Sequence, residues 1–311
     1  MWFRSALIYH YDIKESLNLA NALDEDKLKP CPPHARFIYG WLPVIADELV
    51  HEISGCSLIC LGKEERILPR SVIKRLLEDR IESIQQAEQR IVRRTEKSQI
   101  AEDLEFELLP KAFCVQKKMY ALFDTMTKRL IINSSSNGQA AQLISSIKKV
   151  MPDLQITPLS HDENLSLLLA KWINEPNSLP QAFELASECV LFSQQDVNKR
   201  VNCKGYELPA EEILALLSQG LVASEISLIW QGRIQFTLTH DLSLKRLKCL
   251  DYLADEFQGT KDYEEERLKE DAALTLMGGN LRELINDLLT PLTKTNPVPS
   301  LQEENEQHLP A

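Results

Sequence analysis

The residues best suited to do chemistry are lysines and arginines. Five basic side chains, Lys111, Lys117, Lys118, Lys128 and Arg129, fall between residues 111 and 129, with Asp124 as the only acid among them. A second group, Arg233, Lys245, Arg246 and Lys248, encloses a single acid, Asp241. Such side chains attract phosphates without directional demands, and an exposed Phe113 beside them could stack on or wedge against bases. Composition alone leans the other way, because charge clusters are usually solvated surface and a phenylalanine is usually core. Both readings stand on the residues alone.

Signs of catalysis are sparse. No GxxxxGK[ST] or GxGxxG loop offers a phosphate cradle, and no GxSxG elbow or HExxH helix occurs. His10 lies two residues before Asp12. His240 directly precedes Asp241, and neighbours on a strand point to opposite faces, so they make a poor pair. Glu264-Glu265-Glu266 imitates part of a metal-dependent nuclease site, yet in the acidic run 262–270 it reads better as a solvated helical face. Cys56 and Cys60 have no second Cys/His pair at metal-site spacing. The seven cysteines are scattered, mostly among apolar residues, as buried reduced thiols of a reducing compartment would be. The expectation is a protein with no catalytic residue, no metal and no cofactor, and so not an enzyme.

The net charge of −11 speaks against nucleic acid until its distribution is considered. Residues 251–311 hold 14 acidic and 5 basic side chains, whereas residues 1–250 hold 32 and 30. The acidity belongs to the C-terminal portion, and the remainder can carry local basic surfaces. Hydrophobic residues at 44% and charged residues at 26% give an ordinary globular balance, in a chain long enough for two or three lobes. No apolar run reaches a membrane span, and the start lacks the apolar core of a signal peptide. A cytoplasmic protein with no membrane partner is expected.

Certain elements must position these residues. Residues 2–13 read as a strand, 14–23 as a helix, 30–45 as Pro-interrupted loop or short extended pieces, and 56–61 as a buried strand. Ile73, Leu77, Ile81, Ile84 and Ile91 recur at helical spacing, and a continuous helix over 70–97 would be about 42 Å long. A second helix carries Ile100, Leu104 and Leu108, so the two suggest a projecting hairpin suited to a subunit contact. Residues 113–123 alternate as a strand, turning at 124–128 into a strand over 130–133. A helix buries Ala140, Leu143, Ile144, Ile147 and Met151. Further on come a helix over 209–217, a strand over 222–230, a tight turn at Gln231-Gly232 and a return strand over 233–239. Residues 243–250 fit a strand or a helix start equally. A helix over 271–292 precedes a Pro-, Glu- and Gln-rich tail, expected to be disordered. The fold class is α+β, with antiparallel hairpins and sheets packed by helices. Its expected domains are a central one at 1–65 and 112–160, a helical tip at 66–111, a base at 161–292, and the tail at 293–311.

Several segments, taken in order, resemble the recombination-associated RdgC family: Met1-Trp2-Phe3-Arg4, Gly40-Trp41-Leu42-Pro43, Glu64 to Pro69 followed by Val72-Ile73-Lys74, Leu108 to Phe113, Arg233 to Phe236, and Ser243 to Lys248. No one of these motifs is decisive, but the ordered set is specific and spans residues 1 to about 290. The resemblance implies a ring-shaped homodimer that passes duplex DNA through a positively lined hole, with single strands as a second candidate ligand. It implies antagonism of the strand-exchange recombinase during recombination and fork repair, and association with the nucleoid. It places Lys111 and Phe113 at a DNA-facing rim, with Lys245, Arg246 and Lys248 as phosphate contacts; Lys117, Lys118, Lys204 and Arg233 are further candidate DNA-binding residues. The helices over 70–109 would give one subunit contact and the C-terminal half the other. Around Lys204-Gly205-Tyr206 and Gly220-Leu221 the chain has fewer charges than the family pattern, which implies weaker, more salt-sensitive binding. The contrasting expectation, drawn from the acidic C-terminal portion, is a protein-interaction scaffold that binds no DNA.

Overall fold

Two antiparallel sheets and seven α-helices make up the computed structural model, which describes residues 2–13, 18–159, 164–196, 198–250 and 263–293. These residues fall into two compact units. The first takes those within Met1–Leu159, Leu242–Leu247 and Asp255–Gly278, and the second those within Ser160–Asp241, Lys248–Ala254 and Gly279–Ala311.

In the first unit, strands β1 (Leu7–Asp12), β2 (Phe37–Leu42), β3 (Val50–Ile53), β4 (Cys56–Ile67), β5 (Phe113–Asp124), β6 (Arg129–Ile132) and β7 (Gln155–Pro158) form one sheet. Its order is β2-β4-β5-β6-β1-β7, with β3 paired to β4. Alternation along these strands sends Ile59, Leu61, Ala121, Phe123, Leu130 and Ile132 into one buried cluster. Helices α1 (Leu19–Asp24) and α4 (Asn137–Val150) bury Leu19, Leu23, Ala140, Leu143 and Ile147 in that cluster. The expected stripe of α4 is present, although Ile144 and Met151 are only partly buried. Ser136 starts α4 by accepting the Gln139 N–H on its hydroxyl. The part of the expected first helix at 14–17 lies outside the described residues.

The Gly40-Trp41 step has a steric cause. Trp41 N–H donates to the Asp26 carbonyl and Leu28 N–H to the Trp41 carbonyl, both at 2.9 Å, so the chain at 26–28 lies directly along β2. A Cβ on Gly40 would come within 2.4 Å of the Leu28 Cα, and only glycine allows that approach.

The long helix expected over 70–97 is two helices, α2 (Arg70–Glu88) and α3 (Arg94–Leu108), which pack against each other. Gln89 takes a left-handed conformation (φ 52°) and ends α2. Arg90 then reaches Glu88 and makes a bidentate pair with Glu96 at 2.6 and 2.7 Å, which fixes the turn. Ile91, expected on the apolar stripe, is 81% exposed, while its neighbour Val92 is buried. Lys74 and Glu78 pair as their spacing predicts, at 3.8 Å. Neither helix has a fully buried residue; Ile73, Leu77, Ile81 and Ile84 of α2 are half-buried.

The second sheet has the order β12-β11-β10-β8-β9, from β8 (Phe183–Ser193), β9 (Arg200–Lys204), β10 (Leu221–Trp230), β11 (Ile234–Thr239) and β12 (Leu244–Cys249). The β10–β11 turn is made by Gln231 (φ 48°) and Gly232 (φ 66°), the two positive values a tight hairpin turn requires. Helix α5 (Leu165–Asn174) packs on β10, burying Leu169, Trp172 and Ile173, and also meets α6 (Glu211–Ser218). The last helix, α7 (Tyr263–Thr293), contributes Leu281, Leu284, Ile285 and Leu288 to the buried residues of the second unit. There the buried Trp230 Nε1–H donates to Asp287 Oδ2 at 2.8 Å. The tail at 294–311 lies outside the described residues, and no helix among those described is long and apolar enough to cross a membrane.

Candidate nucleic-acid interface

In the first unit, β4 and β5 pair over their whole lengths, and β5 outruns its core. Ala121 to Asp124 are buried, whereas Phe113 to Lys118 are all exposed. Residues directly opposite one another share a sheet face, so the register sets Ile67 beside Phe113, Glu65 beside Val115 and Lys63 beside Lys117. Strand β2 extends the same face with Phe37 opposite Glu65 and Tyr39 opposite Lys63. Phe113 is 86% exposed and Phe37 49%, which settles the status of Phe113 against the core reading. The rings of Phe37 and Tyr39 meet edge to face at 5.5 Å, and Lys63 Nζ lies 4.6 Å from the centre of Phe37. Phe37, Tyr39 and Lys63 escape a sequence reading because they join this face through pairing between strands, and Phe37 and Tyr39 lie in the Pro-interrupted segment, where alternation is too short to register.

The lysines on this face are partly neutralised. Glu65 accepts from Lys117 at 2.8 Å and pairs with Lys63 at 3.1 Å. Hydrogen bonds from Lys117 and then Lys63 hold its carboxyl below the usual range. Lys111 pairs with Glu107 at 3.2 Å. Exposed pairs of this kind contribute about 1 kcal/mol or less, so a phosphate can take the place of either glutamate. Lys118 is exposed on the opposite face of β5. Lys128 pairs with Asp12, and Arg129 is half-buried.

The other basic group of this unit rests on a bulge. Ala6 and Leu244 exchange both backbone hydrogen bonds, at 2.7 and 2.9 Å, and Leu247 N–H donates to the Arg4 carbonyl at 2.9 Å. The partner strand thus advances two residues while β12 advances three. Arg246, with φ 53°, supplies the extra one. Leu244 and Leu247 can both be buried for this reason, and Arg246 is exposed next to a half-buried Lys245. A side chain as large as arginine in the left-handed region is uncommon.

In the second unit, Leu250 N–H donates to the Arg233 carbonyl at 2.7 Å, which brings the exposed Arg233 and Lys248 into one neighbourhood. Lys204 is exposed at the end of β9, on the other edge of the sheet. Three strand spacings, about 14 Å, separate β9 from β11, so Lys204 does not join that pair.

The residues with acid–base potential are engaged separately. His240 Nδ1 lies 3.3 Å from the Ser224 carbonyl, and Asp241 accepts from the Thr239 hydroxyl. Burial pushes the Cys60 thiol up to about 11. Among the described residues no group of three or more His, Cys, Asp or Glu side chains is placed to hold a metal. The side chains of Glu264, Glu265 and Glu266 lie outside the described ones.

A family model described as "Putative exonuclease, RdgC" matches residues 1–295. The recombination-associated protein RdgC of Yersinia pestis (strain Pestoides F) is 30% identical over 298 residues, covering 94% of this chain and 98% of that protein. Its namesake from Edwardsiella ictaluri (strain 93-146) is 29% identical with the same coverage.

Proposed function

Since the chain belongs to the RdgC family, whose curated relatives are named as recombination-associated, we propose that it binds duplex DNA without reading sequence, as a homodimer closed into a ring. The observation that carries this reading is the exposed end of β5, where Phe113, Lys117 and Lys118 extend past the core and no described residue of the first unit buries them. Lysines there and at Lys111, Lys245 and Arg246 supply phosphate attraction, as do Arg233, Lys248 and Lys204 in the second unit. None of these contacts needs a particular base edge, so they position DNA and do not select it. The half-buried apolar stripes of α2 and α3 suit one subunit contact, and the C-terminal half supplies the other; two contacts related by a two-fold axis close a ring. The protein acts by occupancy in the cytoplasm, on nucleoid DNA. It holds duplex against the strand-exchange recombinase and cleaves nothing.

Topology tests this directly. Protein loaded on a closed circular plasmid should survive a high-salt wash that strips it from the same plasmid linearised, because only a closed ring is trapped on a circle. Equal loss from both forms contradicts the ring. The description of the family as an exonuclease favours one other reading. Incubation with magnesium and an end-labelled duplex separates the two, since occupancy returns strands of unchanged length and an exonuclease shortens them.

A further inference from the structure

The second unit holds a thiol pair that the DNA-binding reading leaves unused. We propose that Cys189 and Cys203 are a reversible oxidation site, closing to a disulfide across the β8–β9 edge when met by a small-molecule disulfide.

The two residues stand directly opposite each other in the β8–β9 register, and both are buried. The hydrogen-bonding phase of the ladder is fixed at its ends. Gly205 N–H donates to the Ser187 carbonyl at 2.8 Å and Ser193 N–H to the Lys199 carbonyl at 3.0 Å, so 187/205 and 193/199 are hydrogen-bonded pairs. Such pairs recur every second residue in an antiparallel ladder, which makes Cys189/Cys203 one of them, with Cα atoms about 5.5 Å apart. That separation lies within the range of about 4.4–6.8 Å that a disulfide spans. Opposite residues of a ladder also share a sheet face, so the two side chains stand on the same side of the β8–β9 edge. Among the described strand pairings, none of the other five cysteines has another directly opposite it.

The chemistry balances with one named oxidant. A Cys203 or Cys189 thiolate attacks the small disulfide and expels one small thiolate, leaving a mixed disulfide. The second cysteine sulfur then attacks the protein sulfur and expels the other. The two protons lost by the cysteines end on the two released thiols, so the protein is oxidised by two electrons and the small disulfide is reduced. Burial, with the Cys203 sulfur alongside, pushes the Cys189 thiol up, so it stays protonated at neutral pH. Attack therefore waits for the edge strand β9 to open, and it quickens as pH rises. Once formed, the bond fastens β9, the strand that ends in Lys204.

The test uses the full-length protein with Cys114 and Cys249, the more accessible thiols, replaced by alanine. After incubation with oxidised glutathione, thiol titration in denaturant should fall from five to three, with the intact mass lower by two hydrogens. Peptide mapping should join the segments containing residues 189 and 203, and dithiothreitol should restore all five thiols. Adding Cys203→Ala should leave four titratable thiols before and after oxidation, apart from mixed disulfides that add glutathione mass. Retention of five thiols after prolonged exposure at raised pH, or a cross-link to any other cysteine, overturns the proposal. Neither result depends on DNA, so failure here leaves the DNA reading intact, and failure of that reading leaves this one.

Discussion

Replacing Lys245, Arg246 and Lys248 together by alanine is expected to weaken binding to every duplex by the same factor. Removing three phosphate-binding charges should reduce the log–log salt slope by about 2.7, and affinity near physiological salt should fall roughly a hundredfold. Sedimentation should show the oligomeric state unchanged. The bulge gives this prediction a sharper form. Arg246 holds a left-handed backbone in which a side chain costs about 1 kcal/mol, so Arg246→Gly alone should raise the unfolding temperature while lowering DNA affinity. Opposite movements of stability and binding mean that the strain is retained for what the guanidinium does. If Arg246→Gly binds duplex as tightly as the native chain, the arginine is plain surface and the basic group of β12 plays no part.

Phe113→Ala separates surface from core with the second large effect. At 86% exposure the ring contributes little to folding, and unfolding free energy should stay within about 0.5 kcal/mol of the native value. DNA affinity should nevertheless fall about tenfold or more, the size of one base-stacking or wedging interaction. Phe123→Ala, on the same strand but fully buried, should instead cost about 3–5 kcal/mol of stability. Urea titration and DNA anisotropy on both variants check the contrast. A Phe113→Ala protein that binds normally removes the ring from the interface.

These contrasts indicate which parts of the molecule were readable in its sequence. Strand β5 and helix α4 were legible because their apolar residues keep one period over several turns or pleats, and the β10–β11 hairpin because Gln231-Gly232 breaks two alternating runs. The β8–β9 pair and α5 gave no such signal. The apolar run of α5 is short, and Phe183–Ser193 shifts register against β10, which spoils its alternation. The join between α2 and α3 was invisible because Gln89, not glycine, takes the left-handed turn. Residues 243–250 looked equally like strand and helix because the bulge at Arg246 spaces Leu244 and Leu247 three apart, a helical interval inside a strand. For the candidate site, basic clusters were visible as composition, but their exposure was not. Composition favoured the core for Phe113, and only the extent of β5 beyond the buried sheet shows otherwise. Phe37, Tyr39 and Lys63 join that face through register with β4, a long-range pairing that no local pattern encodes.

The most direct test of the central claim is fluorescence anisotropy of the full-length chain with two duplexes of unrelated sequence, titrated across a salt series. Equal affinities that fall together as salt rises are the expected result, since phosphate attraction carries the binding. A marked preference for one duplex, or no binding to either at low salt, contradicts the account and leaves the acidic C-terminal portion and a protein partner as the place to look.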